Sequence, residues 1–302
     1  MATKARKPAV DSLPGLHEYS ELLIKAALAE DIGGGDITTS AIINHKQAGS
    51  AIILAKEDFV LAGLFIVEKV FNYLDKKTVY KANFKDGDFV KKGDVVATLT
   101  GKLDVLLIGE RVALNFLQRL SGIATHTREF IKKTDKTNAR ILDTRKTTPC
   151  LRLLEKYAVK AGGGYNHRFG LFDCVLIKDN HIAAAGSITN AVKMVNKKYR
   201  DSILVEVETT NFKEVREALA CGADIIMLDN MDIPKIEKSL KIIKNRALVE
   251  VSGGINLDNV GKVAKTGVDF ISIGALTHSA RAVDISMEVV GTCSKKKPQR
   301  SK

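Results

Sequence analysis

Arg145 with Lys146, Lys178, and the pair His167 and Arg168 are the residues of this chain whose types and spacing point most directly to chemistry. Arg145 and Lys146 follow one apolar run (Ile141, Leu142), Lys178 closes another (Leu176, Ile177), and His167 and Arg168 lie in the loop between. Parallel strands buried on both faces read as nearly pure apolar runs, so charge gathered where successive strands stop marks a polar pocket at that end of the sheet. Four permanent cations and a histidine converging on one spot repel one another unless a multiply charged anion joins them. A substrate rich in carboxylate or phosphate is expected.

Three acids complete the pattern. Glu208 and Asp229 also stand at strand ends, and Glu206 shares a face with Glu208 by the two-residue strand period. Carboxylates beside a cation and phosphate site bind ribose hydroxyls or a hard metal such as Mg²⁺, and one of the three can instead neutralise a lysine. Ser252, Gly253 and Gly254, and Gly274 further on, each follow an apolar strand and precede a helical stretch. That placement offers free backbone N–H groups to a phosphate, although a turn that needs positive φ uses glycine for a different reason. Gly162, Gly163 and Gly164 read as a flexible loop.

The elements that must position these groups follow from periodicity. From Ala139 onward, strands near Ile141, Val175, Val205, Ile226, Val249 and Ile271 alternate with helical segments such as Ser187 to Lys198 and Phe212 to Cys221. Such alternation implies right-handed crossovers and a parallel sheet, and six strands fall short of the eight of a closed barrel. The expected fold is α/β, with an N-terminal α/β sandwich over residues 1–120 followed by an open, incomplete parallel α/β barrel over 121–281. The first part carries a helical pattern over Leu16 to Ala29 and short strands at Ser50 to Lys56, Val79 to Phe84 and Val95 to Gly101. A long helical pattern from Asp104 to Lys132 is interrupted at Ser121-Gly122, where a break and a domain boundary are expected. Residues 282–302 are expected to be helical and to pack back on the first part.

Composition bounds the rest. No stretch reaches the roughly 18 apolar residues of a membrane span, and the basic start is not followed by an apolar signal core, so a cytoplasmic protein is expected. Four cysteines without CxxC pairing imply neither disulfide nor zinc, and three of them sit in patterns where a buried thiol is expected. The net charge of +12 is concentrated in the tails: removing Lys4, Arg6, Lys7, Lys295, Lys296, Lys297, Arg300 and Lys302 leaves +4. A modestly basic body suits a small anion better than nucleic acid. No Ser-His-Asp order, HExxH, Walker loop or GxGxxG is present, which removes support for serine hydrolysis, zinc proteolysis, P-loop phosphoryl transfer and dinucleotide binding.

Several longer stretches match one family. EDIGGGDITT (30–39), GERVALNFLQRLSGIAT (109–125), DTRKTTP (143–149), KAGGGYNHRFGLFD (160–173), IKDNHI (177–182), ADIIMLDNM (223–231), EVSGGI (250–255) and IGALTHS (273–279) make the chain resemble quinolinate phosphoribosyltransferase, a glycosyltransferase of NAD synthesis. The resemblance covers nearly everything except the basic tails. It implies phosphoribosyl transfer from 5-phosphoribosyl 1-pyrophosphate to quinolinate with decarboxylation, in a homodimer whose active site is completed by the other subunit. Carried over by motif, Arg111 reaches the partner's site, Arg145, His167, Arg168 and Lys178 surround the pyridine dicarboxylate, and Lys146 lies between the substrates. Glu208 and Asp229 hold the ribose hydroxyls and Mg²⁺; Ser252, Gly253, Gly254, Gly274 and His278 hold the phosphate. The resemblance makes Lys146, Glu208 and Asp229 the catalytic set, and alignment favours Glu208 over Glu206.

Two other readings compete. One is an enzyme of the same fold acting on another anion. The other is a basic binding module, for which the segment DGDFVKKGDVVATLTG (86–101) resembles a biotinyl or lipoyl carrier hairpin, although Lys91-Lys92 lacks the flanking residues of such carriers.

Overall fold

The computed structural model describes residues 13–199 and 203–293. The chain falls into two compact units, residues 1–125 with 153–162 and 280–302, and residues 126–152 with 163–279.

In the first unit a four-stranded antiparallel sheet runs in the order β12 (Ile285–Cys293), β1 (Ala48–Ala55), β5 (Val95–Lys102), β3 (Val79–Ala82), and a small ribbon pairs β2 (Phe59–Val60) with β4 (Phe89–Val90). The core face of β1 follows strict alternation, with Ala51, Ile53 and Ala55 buried. The helix Leu16–Ile32 buries Leu16, Ser20, Ile24 and Leu28, one residue every turn, and ends where Gly33 turns to φ 51°. Asp36 caps the helix Ile37–Ile42 by accepting from the backbone N–H groups of Thr38 and Thr39.

Two expectations fail here for identifiable reasons. The helix Leu103–Thr134 is continuous through Ser121 and Gly122. Ser121 is buried, its hydroxyl accepting from the Ala62 N–H at 3.0 Å. A Cβ on Gly122 would lie 2.0 Å from the Arg281 carbonyl oxygen. Serine and glycine are therefore present for close contact along the helix and do not break it. The stretch after Arg281 is not helical: Ile285 to Cys293 is strand β12, antiparallel to β1 with an irregularity at Ser50/Ala51. The backbone N–H and C=O groups on one side of it pair with β1, which outweighs the weak local helix preference of ISMEVV. The remaining tail residues, 1–12 and 294–302, lie outside the described residues.

The second unit is an open α/β barrel of six parallel strands in the order β6 (Arg140–Leu142), β11 (Phe270–Ser272), β10 (Leu248–Ser252), β9 (Ile225–Asp229), β8 (Val205–Thr209), β7 (Val175–Ile177). The first strand pairs with the last, and β6 and β7 are the two edges of the sheet. Beside β6, the segment after the triple glycine forms a single parallel bridge, Leu142 with Tyr165; Tyr165 N–H donates to Ile141 and Asp143 N–H to Tyr165. The GGGYNHR loop is thus held at the edge of β6 and delivers His167 and Arg168 beside it. Asn211 and Asp232 cap the two helices that begin at Phe212 and Ile233. Among the described residues no helix is long and apolar enough to cross a membrane.

Candidate active site

A cavity of about 560 Å³ opens within the second unit at the C-terminal ends of the parallel strands. Arg145, Lys146, His167, Arg168, Lys178, Glu208, Asp229, Ser252, Gly253, Gly254, Gly274 and His278 all line it. Twelve of the thirteen residues that the family resemblance assigns to the site therefore meet in one place. The exception is Arg111, which sits on the helix Leu103–Thr134 of the first unit with its side chain 58% exposed, 3.9 Å from Glu110.

The cations have different surroundings. Arg168 is anchored by Nη1, which donates to the Cys174 carbonyl at 3.1 Å, while its Nε and the Nε of Arg145 are buried without a hydrogen-bond partner. Burial, followed by the nearby Arg145 charge, pulls the Arg168 guanidinium below its ordinary pKa. Lys178 Nζ pairs with Glu208 Oε2 at 2.8 Å. Lys146 lies against Gly274, where an added Cβ would come 3.0 Å from its Cδ and 3.1 Å from His278 Nε2, and its carbonyl accepts from Thr277 Oγ1 at 2.8 Å. Two arginines and two lysines line the one cavity and make a wall suited to anionic oxygens.

On strand β8 the burial pattern separates the two glutamates. Glu208 lines the cavity, whereas Glu206 is buried and accepts from His167 Nε2 at 3.0 Å. His167 Nδ1 accepts from the Arg168 N–H at 2.8 Å, so the ring carries its proton on Nε2. On the next strand Asp229 ends β9, and Asn230 Nδ2 donates to its Oδ2 at 2.7 Å. Glu208 and Asp229 present hard oxygen donors to one cavity, a set that fits Mg²⁺ and sugar hydroxyls. Gly253 has φ 90° and Gly254 φ 65°, and their turn packs on Asn230. The triple glycine does not line the cavity.

Sequence reading passed over Asp143 and Glu250. Asp143 is buried and accepts from the His167 N–H at 2.9 Å and from Asn166 Nδ2, which holds the loop that carries the cationic pair. Glu250 lines the cavity. The signal was available: VEVS repeats the pattern of VEVE, with an acid inside an otherwise apolar strand two residues before a residue at the strand end.

The cysteines are less buried than expected. Cys150 is exposed, and Cys174 and Cys221 are partly buried; the Cys293 side chain lies outside the described residues. Burial, then the Glu206 charge, pushes the Cys174 thiol up to about 11. At pH 8 roughly one molecule in a thousand carries its thiolate. Iodoacetamide is expected to label Cys150 and leave Cys174 almost untouched, which peptide mass mapping reads directly. Faster labelling of Cys174 would contradict its buried setting.

Comparison with known proteins places these features in context. The description "Quinolinate phosphoribosyl transferase, N-terminal domain" matches residues 36–121, and its C-terminal counterpart matches residues 123–288. A "Probable nicotinate-nucleotide pyrophosphorylase [carboxylating]" of Bacillus subtilis is 47% identical over 273 residues, covering 90% of this chain and 94% of that protein. A chloroplastic nicotinate-nucleotide pyrophosphorylase [carboxylating] of Arabidopsis thaliana is 44% identical over 88% of this chain and 82% of its own length. Among solved structures, NadC from Streptococcus pyogenes superposes with a TM-score of 0.89 at 42% identity, covering 93% of this chain and 99% of that one.

Proposed function

The chain belongs to the quinolinate phosphoribosyltransferase family, and on that premise we propose that its cavity joins quinolinate to 5-phosphoribosyl 1-pyrophosphate, giving nicotinate mononucleotide, pyrophosphate and CO₂. It is an enzyme of de novo NAD biosynthesis, a carboxylating nicotinate-nucleotide pyrophosphorylase. The observation that carries the substrate reading is the convergence of Arg145, Arg168, Lys146 and Lys178 on one cavity. Two adjacent carboxylates on a flat ring supply the oxygens that such a wall lacks.

The chain's own residues do their work by orientation. Arg145, Arg168 and Lys178 hold the pyridine dicarboxylate so that the ring nitrogen faces ribose C1, and Lys146 stands between the two substrates. Glu208 and Asp229 take the ribose hydroxyls and would hold Mg²⁺, which neutralises charge on the departing pyrophosphate. The turn at Ser252, Gly253 and Gly254, with Gly274 and His278, receives the phosphate. Once the ring nitrogen is alkylated, the pyridinium stabilises the carbanion left as the adjacent carboxylate departs as CO₂, and that carbon then takes a proton from water. Fixed cations and alignment of two anions account for most of the rate, and acid–base catalysis contributes little.

Purified protein given quinolinate, phosphoribosyl pyrophosphate and Mg²⁺ is expected to release CO₂, and to discriminate against nicotinate, which has one carboxylate fewer. Failure to release CO₂, or a preference for nicotinate, overturns the substrate reading. The same proposal includes a cytoplasmic location and a homodimer in which Arg111 serves the partner's site. Lys146→Ala is expected to cost roughly 1.5–3 kcal/mol, mainly in turnover. Mixed with Arg111→Ala under conditions that exchange subunits, the two defective proteins should recover about one quarter of normal activity, because half the dimers then carry one intact site. If no activity returns although subunit exchange is demonstrated, Arg111 acts within its own subunit or not at all.

A further inference from the structure

Beneath the cationic wall lies a polar cluster that substrate binding and turnover, as described above, do not use. Glu206 on β8 and Glu250 on β10 are each 1% exposed on the inward face of the barrel. They occupy alternate strands. Glu206 pairs with Ile225 and Glu250 with Met227, an offset of two residues across two strands, which is the stagger that brings inward side chains of a tilted barrel into one layer. Two residues further along each strand come Glu208 and Ser252, both lining the cavity, so this layer sits directly under it.

Between the two carboxylates stands His167. Its Nε2 is 3.0 Å from Glu206 Oε2 and 3.6 Å from Glu250 Oε1. Ser272 on β11 donates its hydroxyl to Glu250 Oε1. Glu206 Oε1 and Glu250 Oε2 are buried without a partner. Burial first, then the Glu206 charge, raises the Glu250 carboxyl to about 8. The ring between them accepts at its other nitrogen, Nδ1, from the Arg168 backbone N–H at 2.8 Å.

We propose that Glu206 and Glu250 are positioning residues for the dicarboxylate site: set 3.0 Å and 3.6 Å from His167 Nε2, they fix the ring as its Nε2–H tautomer, and through it the His167–Arg168 turn. The inference rests on the substrate reading above and adds to it residues that touch no substrate carboxylate. A pair of this kind accounts for acids inside a barrel where leucine or valine would pack better.

Two measurements test it. In protein labelled with ¹⁵N-histidine, the His167 signal, assigned by its loss in His167→Asn, is expected to show the neutral Nε2–H form at pH 7. An imidazolium or an Nδ1–H tautomer overturns the proposal. In kinetics, Glu206→Gln is expected to raise KM for quinolinate at least tenfold while KM for phosphoribosyl pyrophosphate moves less than twofold. Glu250→Gln, which resembles the protonated acid, should recover most of the quinolinate affinity that Glu250→Ala loses. Equal losses for both substrates, or Glu250→Gln as poor as Glu250→Ala, reduce the pair to a structural role. Stoichiometric metal surviving chelation in the wild type and lost in Glu250→Gln would instead make the cluster a metal site and overturn the proposal. Wild-type turnover of quinolinate is measured first. Its absence removes the substrate reading and the kinetic arm, while the tautomer measurement still decides whether the pair holds His167 as described.

Discussion

Replacing Arg168 with alanine is expected to lower kcat/KM for quinolinate by about 4 kcal/mol, roughly a thousandfold, while KM for phosphoribosyl pyrophosphate changes little. The guanidinium is held by its bond to the Cys174 carbonyl and keeps a buried Nε with no partner, so its position is set before any ligand arrives. A preformed donor gains the full charge-assisted bond with little loss of side-chain freedom. Removing it leaves the substrate dicarboxylate to Arg145 and Lys178, without the planar fork between them. Lysine at the same position should recover little, because a point charge cannot reach both the Cys174 carbonyl and a carboxylate as the planar fork does. Initial rates with each substrate varied in turn read the split. A change below threefold would remove Arg168 from the dicarboxylate site.

The second large effect is expected at Gly253. Its φ of 90° is a conformation that side chains rarely adopt, and an added Cβ would lie 2.2 Å from Asn230 Oδ1 and 3.1 Å from the Asn230 backbone nitrogen. Asn230 cannot simply move aside. Its N–H donates to Ser252 O at 2.9 Å and its side chain to Asp229 at 2.7 Å, and it is itself at φ 53°. Gly253→Ala should therefore destabilise the protein by about 3 kcal/mol in urea unfolding and raise KM for phosphoribosyl pyrophosphate at least tenfold, since Asp229 shifts with Asn230. Gly254→Ala is the contrast. With φ 65° and open space around the added methyl, it should cost about 1 kcal/mol in stability. Equal costs at the two positions would refute the role given to Asn230.

Much of the site was legible because the chemistry breaks a pattern. Apolar strands that end in Arg145, Lys178, Glu208 and Asp229 announce a pocket, since nothing in a doubly covered sheet tolerates such charge without a purpose. Glu250 and Asp143 were harder to see, because what they bond is a loop brought back from more than twenty residues away in sequence. Between Glu206 and Glu208, alternation alone could not choose, as both point inward; depth within the barrel decides, and depth follows from strand tilt. The break expected at Ser121-Gly122 was an error of mechanism: glycine inside a helix also permits close approach of another segment, here Arg281, and local sequence does not distinguish the two uses. Ile285 to Cys293 was misread for a related reason, since its strand partner β1 lies over two hundred residues earlier.

The pairing of β12 with β1 has a consequence for biosynthesis. As the chain emerges from the ribosome, β1 can find β5 within some forty residues, but its other flank has no partner until Ile285 to Cys293 has been made. The barrel strands, by contrast, are all synthesised before β12. The first-encoded unit is thus the last able to finish, and a nascent chain stalled short of residue 285 would carry a complete barrel beside a sheet with one bare side, open to capture by a chaperone or by another unfinished chain.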